Sequence, residues 1–105
     1  MSEVVKVQSV EEFDSLLADT TGPIVADFSA LSWCVPCKRF YPAFELVAAQ
    51  TDTVMVYVDA DTFPDLLERY DVLGIPTVIV FRDGEPGERL TTTNPQKFQA
   101  EVNAL

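Results

Sequence analysis

The chain has 105 residues, 48% of them hydrophobic, with 17 acidic residues against 7 basic ones, no histidine and a net charge of −10. That length suits a single domain over residues 1–105 that buries about two-thirds of the surface its unfolded chain would expose, so the two cysteines are not needed as structural staples. The charge repels phosphate backbones and anionic headgroups, which argues against nucleic acid and membranes as partners, and no apolar stretch approaches the roughly 18 residues of a membrane span.

The acidity is spread along the chain and forms no tail. It serves solubility or, with only three lysines (Lys6, Lys38 and Lys97), adaptation to high salt. The opening Met1-Ser2-Glu3-Val4-Val5-Lys6 lacks the basic region and apolar block of a signal peptide. A cytoplasmic protein is expected, its thiols reduced for much of the time.

Val4, Val5 and Val7 make a short β-branched run that predicts a first strand. Ser9-Val10-Glu11-Glu12 matches a capping box, with Ser9 as N-cap and Glu12 three residues on. Val10, Phe13, Leu16 and Leu17 then recur at helical spacing, and Thr20-Thr21-Gly22-Pro23 ends that helix. Ile24 to Phe28 is nearly continuous in apolar residues, as a central strand covered on both faces requires; Asp27 is the anomaly in it. From Cys34 to about Gln50 the positions Phe40, Tyr41, Phe44, Val47 and Ala48 share one helical face. Pro42 removes a backbone donor there and predicts a kink.

Thr53 to Val58 reads as another buried strand, and Phe63 to Tyr70 as a short helix with Pro64 in its first turn. Val78 to Phe81 is a fourth strand, Asp83-Gly84 a tight turn, and the segment through Leu90 a returning hairpin strand. Asn94-Pro95 caps a last helix through Phe98 and Val102. The order β-α-β-α-β-α-β-β-α implies an α/β fold. Its five-stranded mixed sheet carries parallel strands in the first half and an antiparallel closing hairpin, with four helices covering the two faces.

The chemistry concentrates in Trp33-Cys34-Val35-Pro36-Cys37-Lys38, which holds both cysteines where a strand passes into a helix. A Cys-x-x-Cys pair in that setting reads as a redox dithiol. The alternatives are an inert staple or half a zinc site; without histidine, two subunits would have to supply Cys34 and Cys37 each to complete four ligands. In open α/β sheets the reactive site lies beyond the carboxyl ends of the strands, and Cys34 follows one. At a helix start it faces unpaired backbone N–H groups and the positive end of the helix dipole, both of which favour a thiolate.

With Pro42, Asp27-Phe28, Val58-Asp59-Ala60-Asp61, Tyr70-Asp71-Val72, Gly74-Ile75-Pro76-Thr77, and Phe81 followed by Asp83-Gly84, this motif resembles the thioredoxin family over essentially the whole chain. The resemblance implies a thioredoxin fold and reduction of protein disulfides by thiol–disulfide exchange. Cys34 would be the attacking thiol, Cys37 the resolving thiol and Asp27 the proton carrier for Cys37; otherwise Asp27 is a carboxylate solvated or satisfied at a strand end. It also implies a cis bond before Pro76, where the residues alone favour trans. Trp33, Val35, Pro36, Ile75 and Pro76 would bind substrate, an extended segment pairing with the backbone of Ile75.

No metal or organic cofactor is expected, since the dithiol is the redox group. The expected partners are disulfide-containing proteins and a reductase that recharges the dithiol, and nothing suggests an oligomer. Several departures bear on redox tuning: seven positions separate Asp27 from Cys34, one more than the family pattern, and Ser29 replaces an aromatic. Tyr57 stands where a lysine is common near the aspartate, Val35 replaces the familiar glycine between the cysteines, and Leu90-Thr91-Thr92-Thr93 lacks the glycine usual there. Two other functions stay open at this stage. One is a thiol oxidase or disulfide isomerase with a shifted potential. The other is a thioredoxin-fold binding module whose cysteines are incidental.

Overall fold

Strand β2, Ile24–Ser29, has all six residues buried and lies in the middle of a five-stranded sheet. The computed structural model describes residues 3–105; Met1 and Ser2, with which the signal-peptide reading begins, lie outside them. Strand β1 (Val5–Lys6) is shorter than its valine run suggests, although the Val7 amide still donates to the Tyr57 carbonyl at 3.0 Å. The remaining strands are β3 (Val54–Asp59), β4 (Thr77–Arg82) and β5 (Glu85–Leu90), and the sheet order is β1-β3-β2-β4-β5. Helices α1 (Val10–Asp19) and α2 (Val35–Gln50) make the crossovers that set β1, β2 and β3 parallel.

Beyond β3 the pattern changes. β4 runs antiparallel to β2 as well as to β5, so the reversal begins at the first strand of the closing hairpin. The reason lies in the connection. Asp59, at the end of β3, pairs with Ser29, while Thr77, at the start of β4, pairs with Phe28. Both ends therefore sit at the carboxyl end of β2, and the intervening helix α3 (Pro64–Arg69) has only six residues. At 1.5 Å of rise per residue it spans about 9 Å and does not need to traverse the sheet. This reversal brings the Ile75-Pro76 segment to the end of the sheet where Cys34 stands.

The two faces of the sheet carry separate cores. Ile24, Ala26 and Phe28 pack with Phe13, Leu17, Val56, Val58, Leu66 and Phe81 on the side of α1 and α3. Val25 packs with Phe40, Phe44, Val47, Met55, Val80, Phe98 and Val102 under α2 and α4 (Pro95–Asn103), where Phe40 and Phe98 meet edge to face at 5.1 Å. Because side chains alternate along a strand, Asp27 and Ser29 share the face of Val25, the one α2 covers.

The helix starts follow local chemistry, with one shift. Ser9 Oγ accepts the Glu12 N–H at 3.0 Å, yet the Glu12 carboxylate receives the N–H of Gln8 at 2.6 Å instead of that of the N-cap. The capping box is thus displaced by one residue. Asn94 caps α4 by accepting the Lys97 N–H at 3.0 Å, with Pro95 in the first turn. Helix α2 continues through Pro42 to Gln50. Asp83 and Gly84 both have positive φ, 54° and 80°, the two-residue turn that matches the twist of a hairpin.

Candidate active site

The approach to Cys34 is a turn held at both ends. After β2 ends at Ser29, the Ala30 carbonyl accepts the N–H groups of Trp33 at 3.4 Å and Cys34 at 2.9 Å. Leu31 donates its N–H to the Tyr57 hydroxyl at 3.1 Å. Cys34 then serves as the N-cap of α2, its Sγ accepting the Cys37 N–H at 3.3 Å. A helix start orients such N–H groups at whatever the N-cap presents, and here that is a sulfur.

Cys34 and Cys37 form a disulfide across one helical turn, with Cα atoms 5.2 Å apart. Cys34 retains 4% exposure and Cys37 none, so a reagent arriving from solvent meets Cys34 first. Cys34 Sγ lies 3.9 Å from the Ile75 carbonyl oxygen; a disulfide sulfur has no proton, so this is a contact and not a hydrogen bond. Ala30, Leu31, Ala60 and Ile75 enclose the two sulfurs in a small apolar cluster.

The residues expected to bind substrate come together only in part through visible contacts. Ile75, half-buried, touches the sulfur cluster, and the Ile75–Pro76 peptide bond is cis. Trp33 and Val35 flank the cysteines in the chain and are 60% and 51% exposed, and Pro36 is exposed in the first turn of α2. The Trp33 indole Nε1–H donates to the Asp61 carboxylate, at 2.9 Å to Oδ2, and the Ser32 hydroxyl reaches the same oxygen at 3.3 Å. Sequence reasoning quoted Asp61 in the family pattern without giving it this task. Leu73, two residues before Ile75, is 98% exposed, and the sequence pattern gives it no role. The only available signal was an apolar residue directly before Gly74, in a loop with no periodicity to explain it.

Asp27, on the face of β2 that α2 covers, is fully buried and not solvated at a strand end. Burial pushes its carboxyl up to about 7, against the opposing pull of a hydrogen bond from Ser29. The Ser29 hydroxyl, itself fully buried, donates to Asp27 Oδ1 at 2.5 Å, and Oδ2 has no partner in the structure. Tyr57 lies beside Asp27 in the strand register but sends its hydroxyl elsewhere, donating to Asp59 at 2.9 Å. Burial raises the Asp59 pKa, but hydrogen bonds from Thr62 and Tyr57 more than offset that and leave it lowered. On α2, the buried Tyr41 hydroxyl is without a partner, and its pKa is pushed up to about 12 by burial and by the charges of Glu45 and Asp27.

Among the described residues no group of three or more histidine, cysteine, aspartate or glutamate side chains could hold a metal ion. No helix among them is long and apolar enough to cross a membrane.

The sequence model of the Thioredoxin family matches residues 4–104. The chain belongs to the thioredoxin family. It is 41% identical over 88 residues to the thioredoxin of Chlamydia caviae, covering 83% of each chain. It is 38% identical over 101 residues to that of Staphylococcus epidermidis, covering 94% of this chain and 93% of the relative. A mutant thioredoxin from Halobacterium salinarum superposes with a TM-score of 0.86 at 32% identity, over 99% of this chain and 93% of the other. The thioredoxin fold, a mixed five-stranded sheet with four helices, follows. The protein is accordingly a disulfide reductase of the thioredoxin type, with the Cys-x-x-Cys motif as its redox pair.

Proposed function

We propose that this thioredoxin reduces disulfides in proteins, with Cys34 as the attacking sulfur, Cys37 as the resolving sulfur and Asp27 as the proton carrier between turnovers of Cys37. The observation that carries the assignment of roles is the difference in accessibility, 4% at the N-cap Cys34 against none at Cys37. The Cys34 thiolate attacks one sulfur of a substrate disulfide, and the other leaves as a thiolate. Cys37 then gives its proton to Asp27, and its sulfur attacks Cys34 Sγ. The second substrate thiolate is expelled, takes up a proton, and the protein is left with the Cys34–Cys37 disulfide. Two electrons have passed to the substrate.

A carboxyl with a pKa of about 7 is suited to that exchange, because it neither holds nor refuses a proton at neutral pH. An extended substrate segment would lie along Ile75, whose carbonyl oxygen is 3.9 Å from Cys34 Sγ, with Trp33, Val35, Pro36 and Pro76 around it. The physiological partners in this reading are disulfide-bearing proteins and a reductase that returns two electrons to the dithiol. The protein works as a single-domain monomer in the cytoplasm, where a reducing pool makes that cycle possible.

Reduction of insulin disulfides is the direct test. Cys34→Ser should abolish it, and Cys37→Ser should instead trap a mixed disulfide between Cys34 and substrate. Trapping by the Cys34→Ser protein through Cys37 would reverse the two roles.

A further inference from the structure

Ser29 is one of the places where this chain departs from the family pattern, and the structure puts it directly on Asp27. Both side chains are fully buried, and the serine hydroxyl donates to Oδ1 at 2.5 Å. Oδ2 has no partner. The two oxygens of one carboxyl are therefore unequal: one is tied, the other free.

We propose that Ser29 is the positioning residue of the proton step, anchoring the Asp27 carboxyl through Oδ1 so that Oδ2 alone takes up and returns the proton exchanged with Cys37. This rests on the role given to Asp27 above. In the step itself the Cys37 S–H bond breaks, the proton passes to Oδ2, and the electron pair stays on sulfur to attack Cys34 Sγ. When the substrate thiolate leaves, the proton returns from Oδ2 to it, and the Ser29 bond to Oδ1 persists throughout.

The surroundings leave little else to do this work. On β3 the neighbouring Tyr57 hydroxyl is engaged with Leu31 and with Asp59. On β4 the residue opposite Asp27 is the apolar Val78. Helix α2 contributes Tyr41, which feels the charges of both Glu45 and Asp27, while α4 adds Phe98 and Val102 to the core on this face. Burial discourages ionisation of Asp27, and the serine hydrogen bond is the influence that opposes it and favours the carboxylate.

The test uses Ser29→Ala together with a pair of equal shape, Ser29→Thr, which keeps a donor, and Ser29→Val, which does not. Carboxyl-labelled aspartate in the oxidised protein gives the Asp27 titration by NMR, with Asp27→Asn to assign the signal. The pH profile of insulin reduction is recorded alongside. Loss of a hydrogen bond to a charged group should raise the Asp27 midpoint by about one pH unit or more in the Ala and Val proteins, with Thr close to wild type. The reduction profile should move by the same amount. An unmoved midpoint, or a Thr protein that behaves like Val, overturns the role of Ser29 while leaving Asp27 in place. A midpoint that moves without the reduction profile following overturns the Asp27 proton step itself. Because Thr and Val fill the same space, any disturbance of packing affects both and the comparison survives it.

Discussion

The Trp33 indole and the Asp61 carboxylate are joined across 28 positions of the chain by a hydrogen bond of 2.9 Å. One residue lies in the turn before α2 and the other just past β3, so the bond ties together two loops at the carboxyl end of the sheet. It fixes an indole that is nonetheless 60% exposed. A rigid, exposed aromatic beside a reactive sulfur is a ready contact surface, since little side-chain freedom remains to be lost on binding.

Asp61→Ala should release that indole. Trp33 is the single tryptophan, so fluorescence anisotropy reads its mobility directly and should fall. The KM for insulin should rise several-fold with kcat nearly unchanged, and stability should drop by only about 0.5–1.5 kcal/mol. Unaltered anisotropy would show that the bond does not restrain the ring.

Tyr57→Phe removes the hydroxyl that accepts from Leu31 at 3.1 Å and donates to Asp59 at 2.9 Å. The expected loss is about 1–2 kcal/mol in urea unfolding, because a partly buried N–H is left without its acceptor. Amide exchange at Leu31 should accelerate, and the Asp59 carboxyl, now without one of its donors, should titrate at higher pH than in the wild type. A Leu31 amide that stays protected would mean the turn is held by the Ala30 carbonyl alone.

Asp27 gives a stability prediction with a definite sign. The folded carboxyl holds its proton up to about pH 7, while the unfolded one releases it near 3.8. The folded state therefore binds more protons between those values, and stability falls as pH rises through that window. Asp27→Asn should match the wild type near pH 4 and become more stable by up to about 4 kcal/mol above pH 7. The same substitution should slow disulfide exchange near neutral pH. A stability difference independent of pH would contradict the raised carboxyl pKa.

Leu73→Ser tests the exposed residue on the Ile75 loop. Its side chain is 98% exposed, so stability should change by less than about 0.5 kcal/mol. If substrate covers it, losing that apolar burial raises the KM for a protein disulfide roughly tenfold, while a small-molecule disulfide is reduced as before. Equal effects on both substrates would place Leu73 outside the contact surface.

Much of this architecture is legible in local pattern. The valine runs, the helical spacing from Phe40 to Ala48, the caps at Ser9 and Asn94 and the turn at Asp83-Gly84 depend on neighbours within a few positions, and the structure has each close to where those neighbours imply. The capping box slipped because the Glu12 carboxylate takes the N–H of Gln8, and spacing alone does not say which N–H it will take. The exposure of Leu73 is not legible in its neighbours, because exposure is a property of the whole molecule.

The amino-acid sequence by itself determined the elements, the family pattern and the pair of sulfurs at the head of a helix, since these follow from period, capping and i, i+3 geometry along one segment. The direction of β4, the hydroxyl of Ser29 on a buried carboxyl, and the bonds from Tyr57 and Trp33 to residues far along the chain were decided only by the tertiary structure. Each depends on which strands lie side by side and which side chains water cannot reach, and those conditions exist only once the sheet has closed over its core.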